Sequence, residues 1–277
     1  MPVVDFTRMQ NRFCIEAHFV TETALAVGSR VSLLPAGSDL PVMKTPDGLP
    51  YIPGSSLKGV VRTYIERILR TAADMGKTIR GEKLWACDPL DLKNSCVPPD
   101  VKRTLYENAE EKAKNGKKPL DVLFSEELWK VTCTACRLFG HQWMASRVAF
   151  QDAYLVNADA LPVLFEVRDG VGIDRDLGAA KEGIKYDFET VPRGAAFGLR
   201  IILENVEDWE VGLFCLALQA LRRGELALGG KSTRGLGRGT LAELSIRALS
   251  SEDILFGRDG VSRNPQEFIT IFREALQ

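Results

Sequence analysis

Residues 229–239, GGKSTRGLGRG, intersperse glycines with three cations and two hydroxyl side chains. Over residues 222–238, five Lys and Arg side chains stand against a single acid, Glu225. Glycine lets backbone N–H groups approach a ligand closely, and Lys and Arg supply the positive charge that phosphate needs. This composition favours a phosphate-binding loop, although a solvated basic turn would also account for the loop taken alone.

The spacing argues against a nucleotide-binding loop of the P-loop type. The motif G-x-x-x-x-G-K-[ST] would need a glycine at position 225, where Glu225 stands. A P-loop also follows a strand and opens a helix, whereas here a helix is predicted before the loop and a strand after it. The pattern therefore favours a polyanion that runs past the loop, and a stand-alone nucleotide-binding enzyme is the weaker alternative.

A second basic segment, IPGSSLKGVVR at residues 52–62, leads into a predicted helix. Ser55 or Ser56 is the expected N-cap, and the free N–H groups of a helix start favour anions. Lys58 and Arg62 are four residues apart and share one helix face. Ordinary capping would explain the serines by themselves, but a second basic segment beside the glycine-rich loop favours a groove for a nucleic-acid backbone.

Four cysteines have spacing that suits a metal. Cys87, Cys96, Cys133 and Cys136 form the pattern C-x8-C-x36-C-x2-C within a polar, lysine-rich segment. Cys133-x-x-Cys136 has the spacing of half of a zinc site, and a bound metal would stabilise a segment that has little core of its own. We expect a four-cysteine zinc site, with His141 as the alternative to one cysteine.

Composition bounds the class of protein. The 277 residues hold 36 Lys and Arg against 37 Asp and Glu, so any nucleic-acid site must come from local clustering. No apolar run of roughly 18 residues predicts a membrane span, and the opening residues lack the apolar core of a signal peptide. Six cysteines are too few for a disulfide scaffold, so we expect a cytoplasmic protein in a reducing compartment.

Hydrophobic periodicity predicts the elements that must position these groups. Alternation over residues 13–20 predicts a half-buried strand, and Leu57, Val61, Ile65 and Leu69 recur at helical spacing. Further predictions are strands at 146–156 and 196–206, an apolar helix at 209–226, an edge strand at 238–249, a helix from Pro265, an insertion at 76–145 and a long projecting hairpin at 166–194. Strands separated by two helices predict a single α+β domain over 1–277, with a ferredoxin-like sheet and helices on one face.

Together, four motifs resemble the RAMP superfamily of CRISPR proteins, and more narrowly the repeating backbone subunit of type III effector complexes. They are PVMKTPDGLPYIPGSSLKGVVRTYIERIL, CRLFG, GVGIDRDLGAAKEGIKYDFETVPRG and LGGKSTRGLGRGTL, in the order that the family has them. The resemblance covers roughly residues 11–245 and implies an RRM-like core that stacks with adjacent RAMP subunits and other complex subunits along a CRISPR RNA.

The resemblance also implies roles for individual residues. The hairpin at 166–194 corresponds to the family's thumb, which wedges between guide and target RNA. The implied RNA contacts on the helix start, the hairpin and the loop are Ser55, Ser56, Lys58, Arg62, Arg168, Arg175, Lys185, Lys231, Ser232, Thr233, Arg234 and Arg238.

Asp39 in SDLPVMK takes the position of the aspartate in cleaving members of the family. The reaction implied is metal-dependent cleavage of target RNA, in which a ribose 2′-OH attacks the adjacent phosphate. An aspartate is ionised at neutral pH, so it suits Mg²⁺ binding better than proton abstraction. Without the resemblance, Asp39 is an ordinary exposed loop acid. A catalytically inactive guide-RNA-binding subunit on the same scaffold is the alternative.

Overall fold

The structure is a computed structural model that describes residues 6–28, 38–91, 93–116 and 118–277, with the backbone alone at 181–182. The helices of these residues are α1 Gly54–Asp74, α2 Pro99–Asn115, α3 Leu120–Val131, α4 Thr134–Phe139, α5 Asp208–Arg222, α6 Ser251–Leu255 and α7 Pro265–Ala275. The strands are β1 Asn11–Thr21, β2 Tyr51–Ile52, β3 Thr78–Ile79, β4 Glu82–Lys83, β5 Val148–Phe150, β6 Ala153–Leu155, β7 Glu166–Ile173, β8 Ala180–Thr190, β9 Ala196–Glu204, β10 Gly239–Ser250 and β11 Val261–Arg263.

The main sheet is antiparallel, with strand order β11-β10-β1-β9-β6-β2 and with β5 also paired to β9. Its central strand β1 buries alternate side chains, Phe13, Ile15, Ala17 and Phe19. Period-two alternation follows because successive strand side chains point to opposite faces of a sheet. The α+β fold with a ferredoxin-like sheet is therefore confirmed.

Helices α1, α5 and α7 cover the buried face of this sheet. The rings of Phe13 on β1 and Phe268 on α7 meet edge to face, with centroids 5.6 Å apart. Phe214 of α5 packs against Phe150 of β5, with centroids 6.0 Å apart. The predicted apolar stripe of α1 is buried in the same core, as its helical spacing requires. Of the helices described, none is both long and apolar enough to cross a membrane.

Two sequence predictions are wrong in detail. Strand β10 is not at the edge, because Ile246–Ala248 pairs with the three residues of β11. Helix α1 begins at Gly54 without a serine cap, because Asp152 accepts a hydrogen bond from the Gly54 N–H at 2.7 Å. Strand β11 has three residues, which is too short to give a periodic signal. Asp152 is 98 residues away from Gly54 in the sequence.

The segment predicted as an insertion over 76–145 has two kinds of environment. Its helices α2 and α3 pack through a small cluster of their own that contains Val97, Leu105 and Leu128. Ile79 and Leu84, by contrast, are buried in the main core. The polar composition of the segment therefore reflects the exposed surfaces of α2 and α3, while its ends contribute to the main core.

The predicted long hairpin is a separate two-stranded sheet formed by β7 and β8. It pairs in register from Glu166 opposite Thr190 to Val171 opposite Lys185. Side chains near its tip, including Ile173 and Leu177, are exposed. The hairpin thus extends away from the main core and is held at its base.

A buried ion pair joins the start of β5 to the start of α5. Arg147 and Glu210 are only 3% and 6% exposed, and the guanidinium donates to both carboxylate oxygens. Arg147 also donates to the carbonyl oxygens of Arg137 and Asn205, each at 2.8 Å. Through these four hydrogen bonds, the guanidinium fixes α4, β5 and α5 to one another.

Removing one partner of this pair should be costly. Arg147→Met should lower the free energy of unfolding by about 3–5 kcal/mol, because the Glu210 carboxylate would stay buried without its cation. Urea denaturation followed by circular dichroism measures this. Arg12→Met is the matched control, since the Arg12–Glu204 pair is one-third exposed or more and its removal should cost at most about 1 kcal/mol. Equal destabilisation in the two variants would contradict the role of Arg147 as a buried anchor.

Candidate nucleic-acid interface and metal centre

Residues 24–27, which follow β1, join the hairpin to the glycine-rich loop. On one side, Leu25 and Val191 exchange backbone hydrogen bonds of 2.9 and 2.8 Å at the base of the hairpin. On the other side, the N–H groups of Gly237 and Gly230 donate to the carbonyls of Ala24 and Ala26, each at 2.8 Å. The hairpin base and the loop therefore lie on either side of one short stretch of backbone.

Two glycines of the loop are required by this packing. Gly237 has φ +79°, and a Cβ there would lie against the Leu228 carbonyl, in a backbone conformation that other residues rarely adopt. At Gly229, with φ +77°, a Cβ would come within 2.5 Å of the Ala26 carbonyl oxygen. We expected the glycines to admit a ligand, but these two instead admit the protein's own backbone.

The loop cations lie over the base of the hairpin. The Lys231 ammonium is 4.4 Å from the centre of the Phe188 ring, within cation–π range. Arg234 donates to the Tyr186 hydroxyl at 2.6 Å. Lys231 and Arg234, which are both predicted to contact RNA, thus attach the loop to β8.

The remaining predicted loop contacts differ in their surroundings. Ser232 and Thr233 are exposed in a short 3₁₀ turn of the loop, Ser232–Arg234. The guanidinium of Arg238 is exposed as well but donates to the Gly224 carbonyl at 2.8 Å. The two hydroxyl groups are therefore accessible to a nucleic-acid backbone outside the protein.

Asp39 is held by the hairpin strand β8. The Asp39 N–H and the Ser38 hydroxyl both donate to Oδ1 of Asp187, at 2.7 and 2.8 Å. In return, the Asp187 N–H donates to Oδ2 of Asp39 at 3.1 Å. The Asp39 N–H and then the Ser38 hydroxyl lower the pKa of Asp187, with a smaller contribution from Lys185, so Asp187 is ionised at neutral pH.

Residues beyond Asp39 continue along the same strand. The Glu189 N–H donates to the Leu40 carbonyl at 3.0 Å, and the Glu189 carboxylate accepts from the Val42 N–H at 3.2 Å and from Lys44 at 3.0 Å. Leu40 also forms a parallel bridge with Phe188. Five of the seven residues from Ser38 to Lys44 are therefore attached to β8.

The start of α1 presents Ser55, Ser56 and Lys58. Ser55 is exposed, and Ser56 and Lys58 are half-buried. Burial lowers the pKa of Lys58, with a further contribution from the charge of Arg62. The Gly54 N–H already donates to the Asp152 carboxylate. An anion bound at the start of α1 would therefore lie near this negative charge.

Arg62 faces the protein rather than an open groove. Its guanidinium donates to Glu66 at 2.7 Å, to the Gly140 carbonyl at 3.1 Å and to the Cys136 sulfur at 3.3 Å. Burial alone would lower the pKa of Arg62, but the hydrogen bond to Glu66 and the nearby sulfur raise it overall. These surroundings give no support to the predicted phosphate contact and associate Arg62 with the cysteines.

The predicted cysteine quartet is assembled. The sulfurs of Cys87, Cys96, Cys133 and Cys136 all lie within 4.8 Å of one another, and none forms a disulfide. Cys87 Sγ is 3.6 Å from Cys136 Sγ and 3.7 Å from Cys133 Sγ. In a tetrahedral site with zinc–sulfur bonds of about 2.3 Å, neighbouring sulfurs are about 3.8 Å apart. The four cysteines can thus hold a metal such as zinc.

His141 is not needed as a ligand. Its Nδ1 accepts from the Trp143 N–H and its Nε2 lies 3.3 Å from the Thr132 hydroxyl. Burial lowers the pKa of His141, which favours the neutral ring. The histidine therefore supports the loop after α4, next to the cysteines.

On the hairpin, the predicted RNA contacts are exposed and partly paired. Arg168 lies 3.1 Å from Glu166, and Lys185 lies 3.2 Å from Asp169. Arg175 is exposed near the tip. Such exposed ion pairs are weak, so these cations can exchange their partners for phosphate at little cost.

Sequence reasoning missed Asp187 and Asp152, which act on residues 148 and 98 positions away. No local pattern marks either aspartate. Arg62 did carry a signal, because Glu66 stands four residues after it and can satisfy it within the same helix.

Comparison with known proteins agrees with this architecture. The sequence profile of the RAMP superfamily matches residues 18–240, which include the hairpin, the cysteine quartet and the glycine-rich loop. A protein of Methanothermobacter thermautotrophicus named CRISPR system Cms endoribonuclease Csm3 is 26% identical over 265 residues, covering 87% of each chain. The chain belongs to the RAMP superfamily.

Proposed function

We propose that this chain is a CRISPR RNA-binding backbone subunit of a type III interference complex, and that it cuts target RNA with Asp39. The observation that carries the proposal is that strand β8 contacts both groups: Asp187 holds Asp39, and Tyr186 and Phe188 contact the cations of the basic loop. Residues 24–27 join the base of the hairpin to that loop. The similarity to a protein named as a CRISPR endoribonuclease supports the same function. Its partners would be guide RNA, target RNA, adjacent RAMP subunits and the other subunits of the complex.

In this proposal the guide backbone passes the start of α1 and the glycine-rich loop. Lys58, Lys231, Arg234 and the exposed hydroxyls supply charge and hydrogen bonds that do not depend on base identity. The hairpin, which extends beyond the core, corresponds to the thumb that separates guide from target. Asp39 lies at the base of that hairpin, where a nucleotide displaced by it would be accessible.

In the cleavage step, a 2′-OH attacks the adjacent phosphate, which forms a cyclic phosphate end and breaks the bond to the 5′-oxygen of the next nucleotide. The 2′-OH loses its proton to water and the leaving 5′-oxygen gains one, so the step needs a group that assists this exchange. Oδ2 of Asp39 accepts the Asp187 N–H, whereas Oδ1 accepts no hydrogen bond from the residues that the structure describes. One carboxylate oxygen together with substrate phosphate is a donor set that Mg²⁺ accepts, and the ion would neutralise charge on the phosphate. Asp39 is exposed and anchored at both its N–H and its carboxylate, so its second oxygen is presented to solvent in a fixed position.

Replacing Asp39 tests the cleavage step. In the assembled complex with Mg²⁺, Asp39→Ala should slow target-RNA cutting by at least about 100-fold, the contribution typical of one catalytic group. RNA affinity should stay unchanged. Gel analysis of cleavage together with filter binding measures both quantities.

Asp47→Ala is the control, because Asp47 is an exposed acid in the next turn of the chain. It should cut at the parent rate. If Asp39→Ala cuts every site normally while RNA remains bound, the chain is a binding and assembly subunit only.

Charge reversal tests the loop as an RNA contact. Lys231→Glu combined with Arg234→Glu should weaken RNA binding for every guide sequence. The plot of log K against log salt should also become less steep, by about 0.7 in the magnitude of its negative slope for each phosphate that the variant no longer neutralises. Fluorescence anisotropy over a salt series measures both effects.

Lys118→Glu combined with Lys130→Glu supplies the matched change of charge on the α2–α3 surface, where both lysines are exposed. This control should lower affinity only slightly and leave the slope near that of the parent. An identical salt slope in the loop variant would show that the loop does not bind phosphate.

For the cysteine quartet we propose structural zinc, with Arg62 as a hydrogen-bond donor to the bound sulfur. Purified protein should contain about one zinc per chain, and Cys133→Ser should release the metal and unfold at lower temperature. Elemental analysis and thermal melting measure these effects. Cys14→Ala should keep the metal, since Cys14 lies in β1 outside the quartet.

Arg62→Met extends the same test. Removing a donor to a metal-bound thiolate should raise the sensitivity to chelator by about 10-fold or more, whereas the exposed Arg67→Met should not. A metal-free protein that melts at the same temperature as the parent would refute the zinc site. A changed RNA salt slope in Arg62→Met would support the predicted contact of Arg62 with phosphate.

A further inference from the structure

The position of Asp39 depends on one side chain of the hairpin. Oδ1 of Asp187 accepts both the Asp39 N–H and the Ser38 hydroxyl, and the Asp187 N–H closes the ring by donating to Asp39. These three bonds, of 2.8, 2.7 and 3.1 Å, set both the backbone and the carboxylate of Asp39. Within the described part of the chain, no other side chain forms a hydrogen bond to Asp39.

Neighbouring contacts show that β8 is a rigid support for this arrangement. Phe188 follows Asp187 and is 8% exposed, packed with Leu236 of the glycine-rich loop. Glu189 binds the backbone of Leu40 and Val42 from the same strand. The backbone of β8 beside Asp187 is therefore well anchored, and the Asp187 carboxylate can transmit that order to Asp39.

We propose that Asp187 is a positioning residue for Asp39, which it orients by accepting hydrogen bonds from residues 38 and 39. This inference rests on the proposed cleavage at Asp39 and deepens it. One consequence is that the hairpin serves two purposes at once. The element that would separate the RNA strands also holds the group that would act on the displaced nucleotide, so cutting requires the hairpin to be docked.

The proposal distinguishes geometry from charge. An acceptor oxygen at the same place is what positioning needs, and asparagine retains it without the negative charge. Glutamate retains the charge but moves the oxygens by one methylene. Asp187→Asn should therefore cut close to the parent rate, whereas Asp187→Glu and Asp187→Ala should be about 10- to 100-fold slower.

The experiment is single-turnover cleavage by the assembled complex in Mg²⁺, with target-RNA affinity measured in parallel. Affinity should be unchanged in all three variants, so that the defect is confined to the cutting step. Asp169→Ala is the matched control, because Asp169 lies opposite Asp187 on β7 and pairs with Lys185 rather than with Asp39. It should cut normally.

Each other outcome overturns the inference in an identifiable way. If Asp187→Asn is as slow as Asp187→Ala, the charge of Asp187 is what matters, and positioning is wrong. If Asp187→Glu and Asp187→Ala cut normally while Asp39→Ala does not, Asp187 has no role and the proposed function stands. If Asp39→Ala itself cuts normally, the proposed function fails and the positioning role fails with it. The Asn and Glu variants are conservative, so they decide the matter even if the Ala variant does not assemble.

Discussion

The backbone of residues 24–27 is the constraint on which the interface depends. It bonds to the hairpin through Leu25 and to the glycine-rich loop through the carbonyls of Ala24 and Ala26. Both alanines are buried beside Phe188 and Leu236, and larger side chains there would force the two elements apart. Main-chain hydrogen bonds with small buried side chains thus set the distance between hairpin and loop. The charged residues of the hairpin and the loop are therefore positioned by backbone contacts rather than by their own charges.

This arrangement lets single side chains serve two roles. Lys231 lies over the Phe188 ring, yet an ammonium in a cation–π contact keeps its full charge and remains attractive to phosphate. A salt bridge in the same place would have cancelled part of that charge. Attaching the loop to the hairpin through aromatic rings therefore preserves the local positive charge in a chain whose net charge is −1.

The sequence predicted the features that depend on local periodicity or on the chemistry of one residue type. Strand β1, helices α1 and α5 and the cysteine quartet are of this kind, because alternation, helical spacing and thiol donors need no knowledge of distant residues. Asp187, by contrast, acts across 148 positions, and Asp152 caps α1 from 98 residues away. Arg62 was predicted to contact RNA because it shares a helix face with Lys58, and that contact stays a prediction. Which neighbour a cation meets depends on tertiary packing, and here that neighbour is a cysteine sulfur.

Helix α1 connects the metal centre to the interface. Its N-terminal end carries Ser55, Ser56 and Lys58. Further along, Arg62 donates to the Cys136 sulfur, and Arg70 donates to the Cys87 carbonyl at 2.7 Å. Glu66, 7% exposed, pairs with both arginines and aligns them. Four thiolates around a divalent ion carry a net charge of −2, and the two arginines with their shared Glu66 leave one net positive charge beside the site, which would offset part of it. The buried stripe of α1 already holds the helix in the core, and metal binding would fix its middle further. The start of α1 lies outside the cysteine site but would be held in place through the same helix.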